Sequence, residues 1–151
     1  MNYINREMYF TVAIYSHDNP TIYGAVHSPV LKNSVEFHDL TELVLIMDKI
    51  MRDCDIPKYD GKYRSFALHN KIFNFQLNYH DLKQENFEEC FNQSFSFSKK
   101  PENIFSIHVM YRQNCTWQGE ITWIEKDRVK FFRSALELIA LINSAFYEDS
   151  E

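Results

Sequence analysis

"FTVAIYSHDNPTIYGAV", residues 10–26, lies over "FSIHVMYRQNCTWQGEI", residues 105–121, at a shift of 95 positions with no gap. Phe10 then meets Phe105, Asn19 meets Asn114, Thr21 meets Thr116 and Gly24 meets Gly119, so two of the chain's three glycines coincide. The same shift continues into "FHDLTELVLIMDKIM" from Phe37 and "FRSALELIALINSAF" from Phe132, where Glu42 meets Glu137 and Leu43 meets Leu138. Self-similarity at a fixed period is the signature of a repeated structural unit. The chain is accordingly read as repeat 1 over about residues 8–54, an insert over about 55–103 and repeat 2 over about 104–147, within a single compact domain of residues 1–151.

Each repeat predicts strand, hairpin, strand, short strand and helix. Phe10, Val12 and Ile14, like Phe105, Ile107 and Val109, alternate with the period of a strand that buries one face. In the second strands Ile22, Gly24 and Val26 share a face, as do Trp117, Gly119, Ile121 and Trp123. A glycine inside a strand weakens it, so its presence in both predicts a bulge, or a ring or backbone passing close above. Asp39 with Glu42, and Ser134 with Glu137, have the spacing of a capping box at a helix start. Apolar stripes follow, formed by Leu40, Leu43, Val44, Met47 and Ile50 in one helix and by Leu138, Ile139, Leu141, Ile142 and Ala145 in the other. The expected fold is α+β: an internal duplication with antiparallel sheet or sheets, helices on one face and pseudo-two-fold packing. In the insert, "KIFNFQLNYHDL" alternates as a half-buried strand, Leu82, Phe87 and Phe91 mark a short helix, and "SFSFS" is a further strand candidate.

Composition narrows the function classes. A content of 45% hydrophobic and 25% charged residues is that of a globular protein, and Phe 13, Tyr 9 and Trp 2 supply large rings for a core. The net charge of -5 disfavours a generic nucleic-acid surface. Charge is nonetheless uneven: acids dominate between Glu36 and Asp60, and bases lead between Ser98 and Ser134. Cys54, Cys90 and Cys115 are widely spaced without C-x-x-C, which argues against a disulfide framework or zinc site and for a reducing cytoplasm. No stretch reaches the ~18 apolar residues of a membrane span.

Catalytic signatures are absent from the sequence. The six histidines form no H-x-x-x-H or H-E-x-x-H pattern, so no metal or cofactor is expected. Cys115 has Arg112 nearby, but its counterpart at the 95-residue shift is Pro20, which suits a turn better than a nucleophile. The adjacent Ser16, His17 and Asp18 cannot form a spatial relay.

The run "YRQNCTWQGEITW" followed by "FFRSALELIALI" resembles a motif pair, RQN-x-x-WQG with FRSALELI, of small uncharacterised bacterial proteins. The resemblance covers about the last third of the chain and implies a structural module but no activity. Repeat 1 departs from it, with His17, Asp18, Ile22 and Tyr23 where repeat 2 has Arg112, Gln113, Trp117 and Gln118.

The leading expectation is a non-enzymatic cytoplasmic binding or regulatory protein acting through a protein partner or self-association. The alternative is a small-ligand module, for a metabolite or nucleotide, at the seam between repeats. Candidate binding residues are Arg112, Gln113, Asn114, Trp117, Gln118 and Arg133, because polar side chains beside aromatics can orient a ligand. Nucleic-acid binding and enzymatic activity rank below these.

Overall fold

The computed structural model describes residues 6–17, 21–59, 61–66, 77–81 and 96–146. Strands β1 (Met8–Ser16), β2 (Tyr23–His27) and β3 (Val35–Phe37) lead into helix α1 (Leu40–Cys54). Strands β4 (Asn103–Tyr111), β5 (Gln118–Trp123) and β6 (Arg128–Phe132) lead into helix α2 (Ala135–Ala145), with a 3-10 turn Ile124–Lys126 before β6. All six strands form one antiparallel sheet in the order β3-β2-β1-β4-β5-β6, so the fold is α+β with two helices. The two runs of strands share one continuous sheet because β1 pairs directly with β4, Val12 opposite Phe105 and Phe10 opposite Ile107.

The strands carry the alternation the sequence demands. Phe10, Val12 and Ile14 meet Phe105, Ile107 and Val109 in one buried cluster, together with Leu43, Met47, Ile50, Leu138 and Ile142 of the helices. Phe10, Phe37, Phe105 and Phe132 are all fully buried, and each such ring contributes about 2–3 kcal/mol of burial. The face of α1 turned inward is Leu43, Ile46, Met47, Ile50 and Met51. This is rotated slightly from the expected stripe: Ile46 and Met51 enter the core, and Leu40 and Val44 lie at its margin. In α2 the buried residues are Leu138, Ile142 and Ala145, with Leu141 partly buried.

Both strand glycines exist for close approach. Gly24 stands opposite Phe37, and Gly119 opposite Phe132. A Cβ on Gly24 would collide with the Ala13 carbonyl oxygen and lie 2.9 Å from the Phe37 ring; on Gly119 it would collide with the His108 carbonyl oxygen and lie 3.0 Å from the Phe132 ring. Each phenylalanine thus folds over a glycine on the neighbouring strand and fills the space a side chain would take. The ladders beside them also break alike, between Ile14 and Ser16 against β2 and between Val109 and Tyr111 against β5.

The helix starts follow the capping pattern with one change. Glu42 N–H donates to Asp39 Oδ1 at 2.7 Å, and Glu137 N–H donates to Ser134 Oγ at 3.1 Å. The glutamates, however, reach one residue beyond the cap: Glu42 Oε1 is 3.2 Å from His38 Nδ1, and Glu137 accepts from the Arg133 backbone N–H at 2.8 Å and its guanidinium at 2.9 and 3.0 Å. That bond set holds the Glu137 carboxyl well below the usual range, at about 2.

Much of the insert, the loop containing Asn19 and Pro20, Cys90 and the tail after Phe146 lie outside the described residues. So do the expected helix at Leu82, Phe87 and Phe91, and most of the strand expected from residue 71, of which 77–81 are described. Residues 78–80 run along the loop after β2, with Lys32 N–H on the Asn78 carbonyl and His80 N–H on the Val30 carbonyl. Tyr79 anchors this segment to α1 by donating to Asp53 Oδ2 at 2.6 Å. The described end of "SFSFS" is irregular and is not a strand; Phe97 packs edge-on to Tyr15. Among the described residues, no helix is long and apolar enough to cross a membrane.

Candidate functional site: a cationic cleft at the seam

The turn between β4 and β5 is built by residue type. Asn114 and Cys115 occupy its two centres at φ 57 and 62, and Thr116 N–H closes onto the Gln113 carbonyl at 3.1 Å. Two left-handed centres with that bond are the pattern of a type I′ hairpin turn, which asparagine tolerates well. Gln118 fastens the turn: its Oε1 accepts from Gln113 N–H at 2.9 Å, and its Nε2 donates to the Gln113 carbonyl at 2.8 Å and the Arg133 carbonyl at 3.3 Å. Thr116 Oγ1 accepts from Ala135 N–H at 2.9 Å and so couples the turn to the start of α2.

At the end of β4, Arg112 turns inward and is 3% exposed. Its Nε donates to the Pro57 carbonyl at 2.6 Å, Nη1 to Tyr63 Oη at 2.8 Å and Nη2 to Asp55 Oδ1 at 3.4 Å. The buried charge is therefore both hydrogen-bonded and paired, as burial of a guanidinium requires. Tyr59 and Tyr63 stack at 4.7 Å; the Arg112 guanidinium lies 5.2 Å from the Tyr59 ring, and that of Arg52 lies 3.8 Å from the Tyr63 ring. Two arginines, one just past β4 and one in α1, thus hold Tyr59 and Tyr63 by their rings.

Around this stack is a cleft of about 650 Å³, lined by Asp48 and Arg52 of α1, Tyr59, Lys62, Tyr63 and Arg64 of the connecting segment, and Arg112, Cys115, Thr116 and Trp117 of the hairpin. Among the described lining residues four cations face one carboxylate, in a chain of net charge -5. Arg52 is paired with Asp48 at 3.1 Å and Arg112 with Asp55, whereas Lys62 and Arg64 are exposed and have no ion pair among the described residues. The Arg52 Nε is buried without an acceptor among the described residues. At the cleft wall the neighbouring Cys115 thiol, more than burial, raises the pKa of the Tyr59 phenol. Cys115 is exposed, whereas burial pushes the Cys54 thiol up to about 12, with the Asp53 charge adding to it.

Of the six sequence candidates, Arg112 and Trp117 line the cleft and are buried. Gln113 and Asn114 form the adjoining exposed turn, and Gln118 is engaged in fastening it. Arg133 is 88% exposed at its side chain and bound to Glu137. Sequence reasoning missed Arg52, Tyr59, Lys62, Tyr63 and Arg64. The Y-x-x-x-Y spacing with Lys62 and Arg64 on either side of the second tyrosine was visible, but only the fold brings it against α1 and the hairpin.

Among the described residues, no group of three or more His, Cys, Asp or Glu could hold a metal ion. The chain matches no family model, no curated protein and no solved structure.

Proposed function

We propose that this protein is a binding module, built by internal duplication, whose ligand site is the seam cleft and whose ligand is a small anion. The duplication reading is supported by the element bounds: β1 and β4 begin at Met8 and Asn103, β2 and β5 at Tyr23 and Gln118, and the helices at Leu40 and Ala135, each pair 95 residues apart. A pseudo-two-fold axis between β1 and β4 is supported by the strand order, which is the same read outward from either. Duplication places Arg52 of one copy and Arg112 of the other on the same cleft.

The observation that carries the ligand class is the excess of positive charge in a concave site, with Lys62 and Arg64 left to meet a ligand. Low-dielectric walls strengthen attraction for a multivalent anion and raise its local concentration. Trp117 adds apolar surface to the cleft lining.

Calorimetric titration with pyrophosphate, citrate, a nucleoside monophosphate and the matching uncharged nucleoside tests this reading. Binding of one or more anions, weakened at least tenfold in the Lys62→Ala/Arg64→Ala double variant, is the expected result, because two charge-assisted contacts are worth about 1.5–3 kcal/mol each. Failure of every anion to bind, or equal binding of the uncharged nucleoside, would overturn it.

A further inference from the structure

The two halves of the sheet differ on the face away from the helices. In the first half that face is covered: Ala13, Ala25 and His27 are 0%, 1% and 8% exposed. The positions 95 residues on, His108, Glu120 and Thr122, are only partly buried, and on β6 beside them Val129 and Phe131 are 49% and 72% exposed. Phe131 stands directly opposite Glu120, and Val129 opposite Thr122, so these side chains share one open surface. It continues onto β1, where the Tyr9 ring stacks on His108 at 4.2 Å and 13°.

The chemistry of this open half is aromatic and acidic. Glu7 bonds His108 Nε2, and Glu120 Oε1 stands 3.9 Å from His108 Nδ1 on the other side of the ring. Tyr9 donates to Glu7 Oε2 at 3.3 Å. Arg128 and Lys130 of β6 do not offset these acids here, because they are the partners of Trp123 and Ile121 and alternate to the helix side of the sheet. Two copies meeting face to face would oppose their own carboxylates, which costs rather than gains free energy.

The chain itself shows what such a surface accepts. At the edge of the covered half, Phe97 stands edge-on to Tyr15, and Lys99 lies 5.7 and 4.9 Å from the Tyr15 and Tyr23 rings and donates to Tyr23 Oη at 3.0 Å. A Phe-x-Lys segment thus covers tyrosines on one half. We propose that the open half, around Phe131, Tyr9, Glu7 and Glu120, docks an extended segment of a protein partner in which an aromatic residue is followed two positions later by lysine or arginine. The ring would pack on Phe131 and Val129, and the cation would reach Glu7 or Glu120.

A fluorescein-labelled peptide carrying Phe-Ser-Lys-Lys twice, and the same peptide with glutamate for lysine, are the probes. The expected result is saturable binding of the lysine peptide, weakened by salt. Amide shifts should centre on Ser106, His108, Glu120 and Phe131, with at least tenfold loss in Phe131→Ser and in Glu120→Lys. Both substituted side chains reach solvent, so circular dichroism should show unchanged folds. Equal binding of the glutamate peptide, shifts centred on the cleft, or no binding at millimolar peptide would overturn the proposal. So would sedimentation showing a dimer that Phe131→Ser abolishes, since a second copy would then be the occupant.

Discussion

Gly24 and Gly119 show what one missing side chain permits. Neither has a positive φ, so the requirement for glycine comes from the phenylalanine and the carbonyl that crowd each Cα rather than from the backbone conformation. Gly119→Ala should lower the unfolding free energy by about 3 kcal/mol or more, since overpacking against backbone cannot be relieved by a rotamer change. Urea denaturation checks this, and Gly24→Ala should behave alike. At His27, burial chiefly, and then the neighbouring His80, lower the pKa to about 4. In the unfolded chain it titrates near 6.5, so between these values the unfolded state holds more protons. The stabilisation from keeping His27 neutral is full above about pH 6.5 and is lost as pH falls toward 4, about 2 kcal/mol between pH 7 and 5. Denaturation of the native protein and of His27→Phe at both values should show that increment only in the native protein.

At the scale of elements, α1 and α2 begin in the same way because each needs its free amides satisfied where it leaves a short strand. Asp39→Ala and Ser134→Ala should each cost about 1 kcal/mol. Thermal unfolding of the two variants would fail to support this if either matched the native protein. The caps were legible in advance, since a capping box is a local pattern of four residues. The extra reach of Glu42 and Glu137 to His38 and Arg133 was not, because it depends on the side chain at the preceding position. Likewise the alternation of β1 and β4 announced two strands, but not that they are neighbours. Ala13 illustrates the limit: it lies on the face opposite Phe10, Val12 and Ile14, yet it is fully buried, because the covering of a sheet's second face is not encoded in the strand.

For the whole molecule, Arg112 is the residue on which most depends. It joins the end of β4 to Asp55, Pro57 and Tyr63, and together with Arg52 it gives the cleft its far wall. Arg112→Ala should destabilise the fold by about 3 kcal/mol, because it leaves buried acceptors without a donor. Arg112→Lys should recover only part of this, because an ammonium cannot span three acceptors as the planar fork does. Chemical denaturation of both variants decides it: a lysine variant as stable as the native protein would show that charge alone matters. Sequence reasoning placed Arg112 and Trp117 among the candidates from the contrast with His17 and Ile22. It had no means of adding Arg52 or Arg64, whose distance in sequence from the hairpin is closed only by folding.

What the sequence determined by itself is what is periodic or local: the strand phases, the two helices with their caps, the close approach at both strand glycines, and the 95-residue correspondence. These follow from short-range rules of backbone geometry and from the period with which apolar side chains must recur. Only the tertiary structure decided that β1 and β4 join the strands into one sheet, that a guanidinium from each half grips the same pair of tyrosines, and that half of the outer face stays open. Such features depend on which distant surfaces meet, and the free energy of that meeting is shared by many residues, none of which signals it alone.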